Sequence, residues 1–243
     1  MWERPAAWLP HGTAYHTAVE KWELSGRTLT LAELIEIFDE EYDKLLTELL
    51  EETPNIDVWF ASGPYEADFD IDRRRDKAHT QIANHLTWHL AHPAEKPCVL
   101  PEHGIAVEVP LTCELDGVTI HTKIDAILGS TTGPPPVEFD RATALIVRDN
   151  KTGTSTPKKI QLVVYAVVIK REFKLQYLPK GDFYLADKGR PTLLFTPPPD
   201  SEEIVTKAFV SLDEKVRAGD FPPLPSPEKC RMCSVSYSCA YAM

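Results

Sequence analysis

The sequence predicts an α/β chain with a helical first third and a sheet built mainly in the middle. Two changes of texture carry that prediction. Apolar residues recur at three- and four-residue steps up to about residue 90, and β-rich runs separated by turn signals then take over. A second helix-then-strand passage follows residue 157, so helices flank the sheet in sequence on both sides.

The elements follow in order. Gly12 to about Leu24 has helical spacing, and Leu31 to Leu50 repeats it through Leu31, Leu34, Ile35, Phe38, Tyr42, Leu45, Leu46 and Leu49. Thr30 suits an N-cap with Glu33 completing a capping box, and Pro54 closes the segment. Gly63-Pro64 marks a turn. Asp72 to Leu90 is again helical, with Ile82, Leu86 and Leu90 on one side. Ile105 to Leu115 and Val118 to Leu128 are β-rich and joined by Asp116-Gly117, a strong hairpin signal; Thr143 to Asn150 adds a third strand. Gly129 to Arg141, rich in Gly, Thr and Pro, reads as an extended surface loop. Pro157 suits the first turn of a helix reaching about Phe173. Phe183 to Ala186 and Pro191 to Phe195 form a hairpin about Lys188-Gly189, and Ser201 to about Ala218 is a last helix. The Pro-rich stretch Phe221 to Pro227 then leads to the terminal cysteines.

At 243 residues with 43% hydrophobic content, the chain is long enough for one large domain or a core with a small appendage. No window reaches the roughly 18 uninterrupted apolar residues of a membrane span. The opening Met1-Trp2-Glu3-Arg4-Pro5 lacks the layout of a signal peptide. Five cysteines, three of them between Cys230 and Cys239, fit metal or cluster ligation in a reducing compartment better than a disulfide framework. A cytoplasmic location is expected. The net charge of −11 gives no footprint for broad nucleic-acid binding, although much of the acidic surplus lies in one run, Glu33 to Glu52, which suits a solvated helix face.

The residues that carry chemistry lie at strand ends. Asp149-Asn150-Lys151-Thr152-Gly153 ends an apolar strand, and Lys123-Ile124-Asp125-Ala126-Ile127 lies on its expected neighbour. Residues two apart on a strand share a face, so Asp149 and Lys151 project together, and pairing brings the Asp125 carboxylate beside them. Hard oxygen ligands of this kind hold Mg²⁺ or Mn²⁺, which stabilises charge on a phosphate, while a lysine orients or activates water. That combination suits phosphodiester hydrolysis. An isolated Asp-x-Lys is otherwise an ordinary polar pair before a Thr-Gly turn.

Three further motifs appear in order with it: Gly12-Thr13-Ala14-Tyr15-His16 upstream, Asp125, and Gln161-x-x-x-Tyr165 on the following helix. Together they resemble the RecB-like exonuclease branch of the PD-(D/E)XK nucleases from Gly12 to the end of the chain. The resemblance implies a restriction-endonuclease-like core, a mixed sheet flanked by helices, with a helical amino-terminal part and a cysteine-bearing carboxy-terminal tail. Its expected limits are 1–219 for the nuclease domain, with a helical part at 12–93 and a catalytic core at 104–197, and 220–243 for the tail. It implies His16, Asp125, Asp149 and Asn150 as metal ligands and Asp125, Asp149 and Lys151 as catalytic, with Gln161 and Tyr165 supporting the site or the DNA. Glu108 matches a strand glutamate of the family, although Val-Glu-Val-Pro by itself reads as solvent-facing, and Tyr165 reads equally as core. Burying the Gln161 amide on an otherwise apolar helix without partners is costly, which favours a role for it.

The implied activity is a Mg²⁺- or Mn²⁺-dependent DNA exonuclease acting on single strands or duplex ends in recombination, repair or phage DNA processing. Its implied partners are a helicase, an annealing protein or CRISPR machinery, with no membrane. The alternative is an inactive DNA-binding or recombination-partner module of the same fold. Two departures stand out: Thr122 and Lys123 occupy places where the family has a glycine, and the Gly129 to Arg141 loop widens the separation of Asp125 from Asp149.

Cys230, Cys233 and Cys239 are similar to the iron-sulfur anchor of related helicase-nucleases and CRISPR-associated exonucleases, which implies a [4Fe-4S] cluster. The fourth cysteine, expected before the histidine helix, is missing. A truncated or alternative start, Cys98 as fourth ligand, a three-cysteine or Zn²⁺ site, and loss of the cluster are the alternatives. Cys98 and Cys113 otherwise read as free structural cysteines. Arg73-Arg74-Arg75, at an expected helix start, reads as a solvated face or a phosphate contact. His79, His85, His89 and His92 read as surface residues, with His85 and His89 at the i, i+4 spacing of a metal pair.

Overall fold

A computed structural model describes residues 3–130 and 144–243, so most of the loop expected from Gly129 to Arg141 lies outside the described residues. The first three helices are α1 (Trp8–Leu24), α2 (Leu31–Glu52) and α3 (Ala67–Ala91). Helix α1 starts four residues before the expected Gly12, with Pro10 in its first turn, where a missing N–H costs nothing. Thr30 caps α2, accepting from the Glu33 amide while the Glu33 carboxylate accepts from the Thr30 amide at 2.7 Å. Helix α3 begins five residues earlier than the apolar spacing suggested, with Asp68 and Asp70 in its first turn.

Short strands β1 (Val99–Leu100) and β2 (Gly104–Ile105) pair antiparallel before the main sheet. That sheet contains, among the described residues, β3 (Val107–Leu115), β4 (Val118–Ser130), β5 (Ala144–Lys151), β6 (Lys180–Leu185) and β7 (Arg190–Pro191), in that order. All pairs are antiparallel except β5 with β6, which are parallel and joined through α4 (Ile160–Glu172). This is the expected mixed sheet. Asp116 and Gly117 both have positive φ, 48° and 80°, the geometry of a tight hairpin that matches strand twist. Helix α4 starts at Ile160 rather than at Pro157. Helices α5 (Ser201–Ala218), with its expected bounds, and α6 (Pro227–Arg231) complete the chain. No described helix is long and apolar enough to cross a membrane.

Two apolar clusters sandwich the sheet. On one face Ile124, Ile127, Leu145 and Val147 pack against Val163, Val167 and Val168 of α4 and Val205 of α5. Gly181 allows that approach, since a Cβ there would stand 3.2 Å from both Leu162 and the Val147 carbonyl. The second cluster lies among α1, α2 and α3, where Tyr15, Trp22, Phe38, Tyr42 and Ile82 meet Tyr184 and Ala186 at the end of β6. Leu90, expected on the packed side of α3 with Ile82 and Leu86, is exposed instead.

The second cluster corrects one expectation outright. His85 and His89 are 2% and 3% exposed, not surface residues. Their rings lie 4.3 Å apart, and His85 packs edge-on against Trp22 and Tyr184. Tyr15 Oη lies 3.2 Å from His85 Nδ1. Burial, reinforced by Arg27 and Arg148, pushes the His85 pKa down to about 3, and burial likewise drives His89 far below its ordinary value, so both rings are neutral.

Candidate active site at the β4–β5 strand ends

The register that pairs Ala126 with Arg148 brings Asp125 level with Asp149 at the next step along β4 and β5. The backbone amide of Asn150 donates to Asp125 Oδ2 at 2.6 Å, tying the two strand ends together. Both carboxylates are buried, Asp125 at 8% and Asp149 at 2% exposed.

Around Asp125 a group of metal-type donors converges. His16 on α1 and Glu108 on β3 join Asp125, with one donor atom from each within 4.8 Å of the others. His16 Nδ1 lies 2.8 Å from Glu108 Oε1 and 3.6 Å from Asp125 Oδ2. Glu108 is where the structure departs most from a plain strand. Its φ is +51°, a left-handed conformation that costs a non-glycine residue about 1–2 kcal/mol. It is buried rather than solvent-facing, and its second oxygen takes Lys123 Nζ at 2.7 Å. Lys123, at one of the places where the family has glycine, thus holds Glu108 from outside.

On the other side of Asp149 lies the second half of the site. Lys151 Nζ stands 2.6 Å from Asp149 Oδ2, a charge contact without hydrogen-bond alignment. Gln161, in the first turn of α4, uses its whole amide: Oε1 accepts from Lys151 Nζ at 2.9 Å, and Nε2 donates to Asp149 Oδ1 and to Tyr165 Oη, both at 2.8 Å. The Tyr165 ring belongs to the core while its hydroxyl lies 3.5 Å from Asp149 Oδ1. Behind the strand end, Gln81 Oε1 accepts from His11 Nε2 at 2.8 Å, and Gln81 Nε2 donates to the Thr152 carbonyl at 2.9 Å. This holds the turn after Lys151 against α1 and α3.

The electrostatics are those of a site short of positive charge. Burial, with the fields of Asp149 and Glu108 added, lifts the Asp125 carboxyl to about 7 against the opposing pull of His16. Burial also raises Asp149, against the pull of Lys151. Burial disfavours a charged His16, but the Glu108 hydrogen bond and the charges of Asp125, Glu108 and Asp149 outweigh it and raise His16 to about 9. A divalent cation would relieve this crowding, and one imidazole with carboxylate oxygens is a donor set that suits Mn²⁺ or Mg²⁺. The residues therefore fit the metal that the sequence implied. Asn150 donates its backbone N–H to Asp125, and its side-chain Oδ1 is buried with no hydrogen-bond partner among the described residues; Asp149 lies outside the converged triplet.

The remaining sequence candidates divide. Arg74 is buried, and its guanidinium binds Asp70 at 2.5 Å and Ser62 at 2.9 Å. Arg75 binds Asp39 and Asp43 of α2, and Arg73 also pairs with Asp70. The three arginines lie in the second and third turns of α3, not at its start, and they are ion-paired rather than a uniformly solvated face. Cys230, Cys233 and Cys239 are free and half-buried. The amino-terminal end reaches them: the Arg4 amide donates to the Ser234 carbonyl at 2.9 Å, and its guanidinium lies 4.6 Å over the Tyr237 ring. Cys98 is fully buried in the core, where burial pushes its thiol up to about 12. Among the described residues the three tail thiols do not converge as the triplet does. Four thiolates normally hold a [4Fe-4S] cluster, and three are present in the tail.

Comparison with known proteins gives the family. The Gene 69 protein of Mycobacterium phage L5 is 35% identical over 265 residues of alignment, covering 98% of this chain and 87% of the relative. The Gene 69 protein of Mycobacterium phage D29 is 37% identical over 246 residues, with the same coverage of 98% and 87%. A solved structure of a proposed exonuclease from Eubacterium rectale aligns with a TM-score of 0.41 at 14% identity, covering 89% of this chain and 78% of that one. The sequence profile of the PD-(D/E)XK nuclease superfamily matches residues 4–240, and the chain belongs to that superfamily.

Proposed function

We propose that the chain is a Mg²⁺- or Mn²⁺-dependent deoxyribonuclease, acting as an exonuclease on single-stranded DNA or at duplex ends. The observation that carries this reading is the convergence of His16, Glu108 and Asp125 within reach of one ion, on the strand next to the Asp149–Lys151 pair. His16, Glu108, Asp125 and Asp149 would hold the cation. Once bound, it supplies charge neutralisation at the scissile phosphate and a lowered pKa for attacking water.

The chain's own groups do the rest. Lys151 carries a compact positive charge with three donors, one of which Gln161 Oε1 takes, leaving the others for an incoming water or phosphate oxygen. Gln161 fixes Lys151 and Asp149 relative to each other through one amide, so both are positioned before substrate arrives. Tyr165 supports Gln161 from the core side. Glu108 and Asp125 both lie on the Nδ1 side of the His16 ring, so Nδ1, freed of its proton, is the nitrogen that would face an ion shared with them.

The test is degradation of end-labelled single- and double-stranded DNA with Mg²⁺, Mn²⁺ or EDTA, comparing the chain with its Lys151→Ala variant. Metal-dependent cleavage that disappears with Lys151 is the expected result. Absence of cleavage by folded wild-type protein in either metal would overturn the reading.

A further inference from the structure

Two lysines flank the acid cluster. Each lies two residues from an aspartate of its own strand, Lys123 before Asp125 on β4 and Lys151 after Asp149 on β5, so each shares a strand face with that carboxylate. Lys151 belongs with Asp149 and Gln161. Lys123 goes to Glu108 instead, with Nζ 2.7 Å from Oε2. Its side chain is 61% exposed and that of Glu108 is 7% exposed, so the ammonium caps a buried carboxylate from the solvent side.

Without an ion, Glu108 depends on that cap. The β3–β4 ladder pairs Val107 with Ala126 and Val109 with Ile124, which sets Glu108 opposite Asp125 at the position where its φ is +51°. Like charges directly opposite on a ladder repel. Two groups offset this repulsion. His16 lies 2.8 Å from Glu108 Oε1 and 3.6 Å from Asp125 Oδ2, and Lys123 lies on Oε2. A divalent ion treats them differently. His16 is itself one of the three converged donors, whereas an ammonium offers no acceptor, cannot coordinate an ion and can only repel it.

We propose that Lys123 is a resident counter-cation of the metal centre, holding Glu108 beside Asp125 while the centre is empty and weakening the divalent ion that later binds against its charge. This role rests on the nuclease reading and adds to it a residue that tunes how readily the centre takes and releases its ion. Lys123 acts through Glu108, so it is a positioning residue and not a catalytic one. Loss of its charge has opposite effects on the two states of the centre: the empty protein is destabilised and the ion is held more tightly.

The experiment compares the full chain with Lys123→Gln and Lys123→Met, which remove the charge, and with Lys123→Arg, which keeps it. Lys123→Gln retains a donor for Glu108, and circular dichroism checks that each variant is folded. Mn²⁺ binding is read by electron paramagnetic resonance of the free ion at low and high salt, and thermal unfolding is followed in EDTA. The two neutral variants are expected to bind Mn²⁺ about tenfold more tightly at low salt, the effect of a unit charge on a divalent ion across the width of one carboxylate in mostly aqueous dielectric. High salt should shrink that gain, because the ammonium is exposed. Both should also unfold at lower temperature in EDTA, and Lys123→Arg should restore wild-type behaviour in both assays. Equal or weaker Mn²⁺ binding in the folded neutral variants, an undiminished Tm in EDTA, or Lys123→Arg behaving as they do would overturn the inference. DNA cleavage in Mn²⁺ separates the two readings. A wild type that cleaves, with neutral variants that bind Mn²⁺ no more tightly, refutes the Lys123 role alone. Tighter binding in the neutral variants of a chain that never cleaves refutes the nuclease alone, and no Mn²⁺ binding in any of the four proteins refutes both.

Discussion

Replacing Asp125 by asparagine should stabilise the metal-free protein while destroying its function. Each tenfold change in proton affinity is worth about 1.4 kcal/mol. An Asp125 carboxyl held at about 7 instead of 3.8 therefore carries about 4 kcal/mol of charging cost in the folded state above neutral pH. Relaxation and water penetration recover roughly half of such costs in real interiors, leaving about 2 kcal/mol. In a chain of this size that corresponds to roughly 5 °C in Tm. The folded pKa lies above the unfolded one, so the stabilising contribution is complete below the unfolded value and is lost as pH rises through about 7. Asparagine keeps an oxygen for the Asn150 amide and has no charge to pay for. Its advantage in EDTA should be smallest near about pH 4 and full by about pH 8. Divalent cation should reverse the ranking, since at a hundredfold excess over Kd it adds about 2.7 kcal/mol to the wild type and little to the variant. Scanning calorimetry at both pH values, with EDTA and with Mn²⁺, reads all of this. No gain in EDTA at the higher pH, or an undiminished Mn²⁺ shift in the variant, would refute the reasoning.

Other perturbations probe separate parts of the structure. Lys151→Ala is expected to cut cleavage of end-labelled DNA by at least about a hundredfold while leaving the thermal transition cooperative; cleavage near wild-type rates would move the active site elsewhere. Gln161→Ala frees both Lys151 and Asp149, so kcat should fall more than KM changes, and a loss confined to KM would contradict the positioning role. Arg148 is buried in a bidentate pair with Asp182 and a contact with Glu95, and Arg148→Ala should cost about 3–5 kcal/mol in urea unfolding, partly recovered in the double variant with Asp182→Ala. His11, lowered to about 4, and His85, lowered to about 3, are neutral when folded but bind protons when unfolded, so stability is complete above about 6.5 and falls with pH below it. Each contributes about 1.4 kcal/mol of loss at about pH 5.5, and His85→Leu should flatten the acid limb; an unchanged pH dependence would show that the ring is protonated in the fold.

How much of this was legible depended on the range of the interaction involved. Local chemistry was readable: the Thr30–Glu33 capping box, the Asp116-Gly117 hairpin and the full length of α5 depend on residues a few places apart. The site motifs were readable for the same reason, since Asp149 and Lys151 share a strand face and Gln161 and Tyr165 share a helix face, which fixes their sides before any packing occurs. Helix starts at α1, α3 and α4 were misplaced because the first turn of a helix is set by caps and tertiary contacts more than by apolar period.

Tertiary structure alone decided the rest. Glu108 reads as an ordinary outward strand residue until a positive φ, His16 and Lys123 turn it inward. His85 and His89 have polar side chains on a helix that looks amphipathic elsewhere, and only the packing of α1 and the end of β6 makes their side buried. The Arg148–Asp182 pair joins residues 34 apart through a parallel register that no local pattern announces. The sequence determined which groups can act and which face of their own element they occupy. Which of those faces meet, and how far burial and neighbouring charge move a proton on Asp125, depend on distances between segments that the chain brings together only when folded.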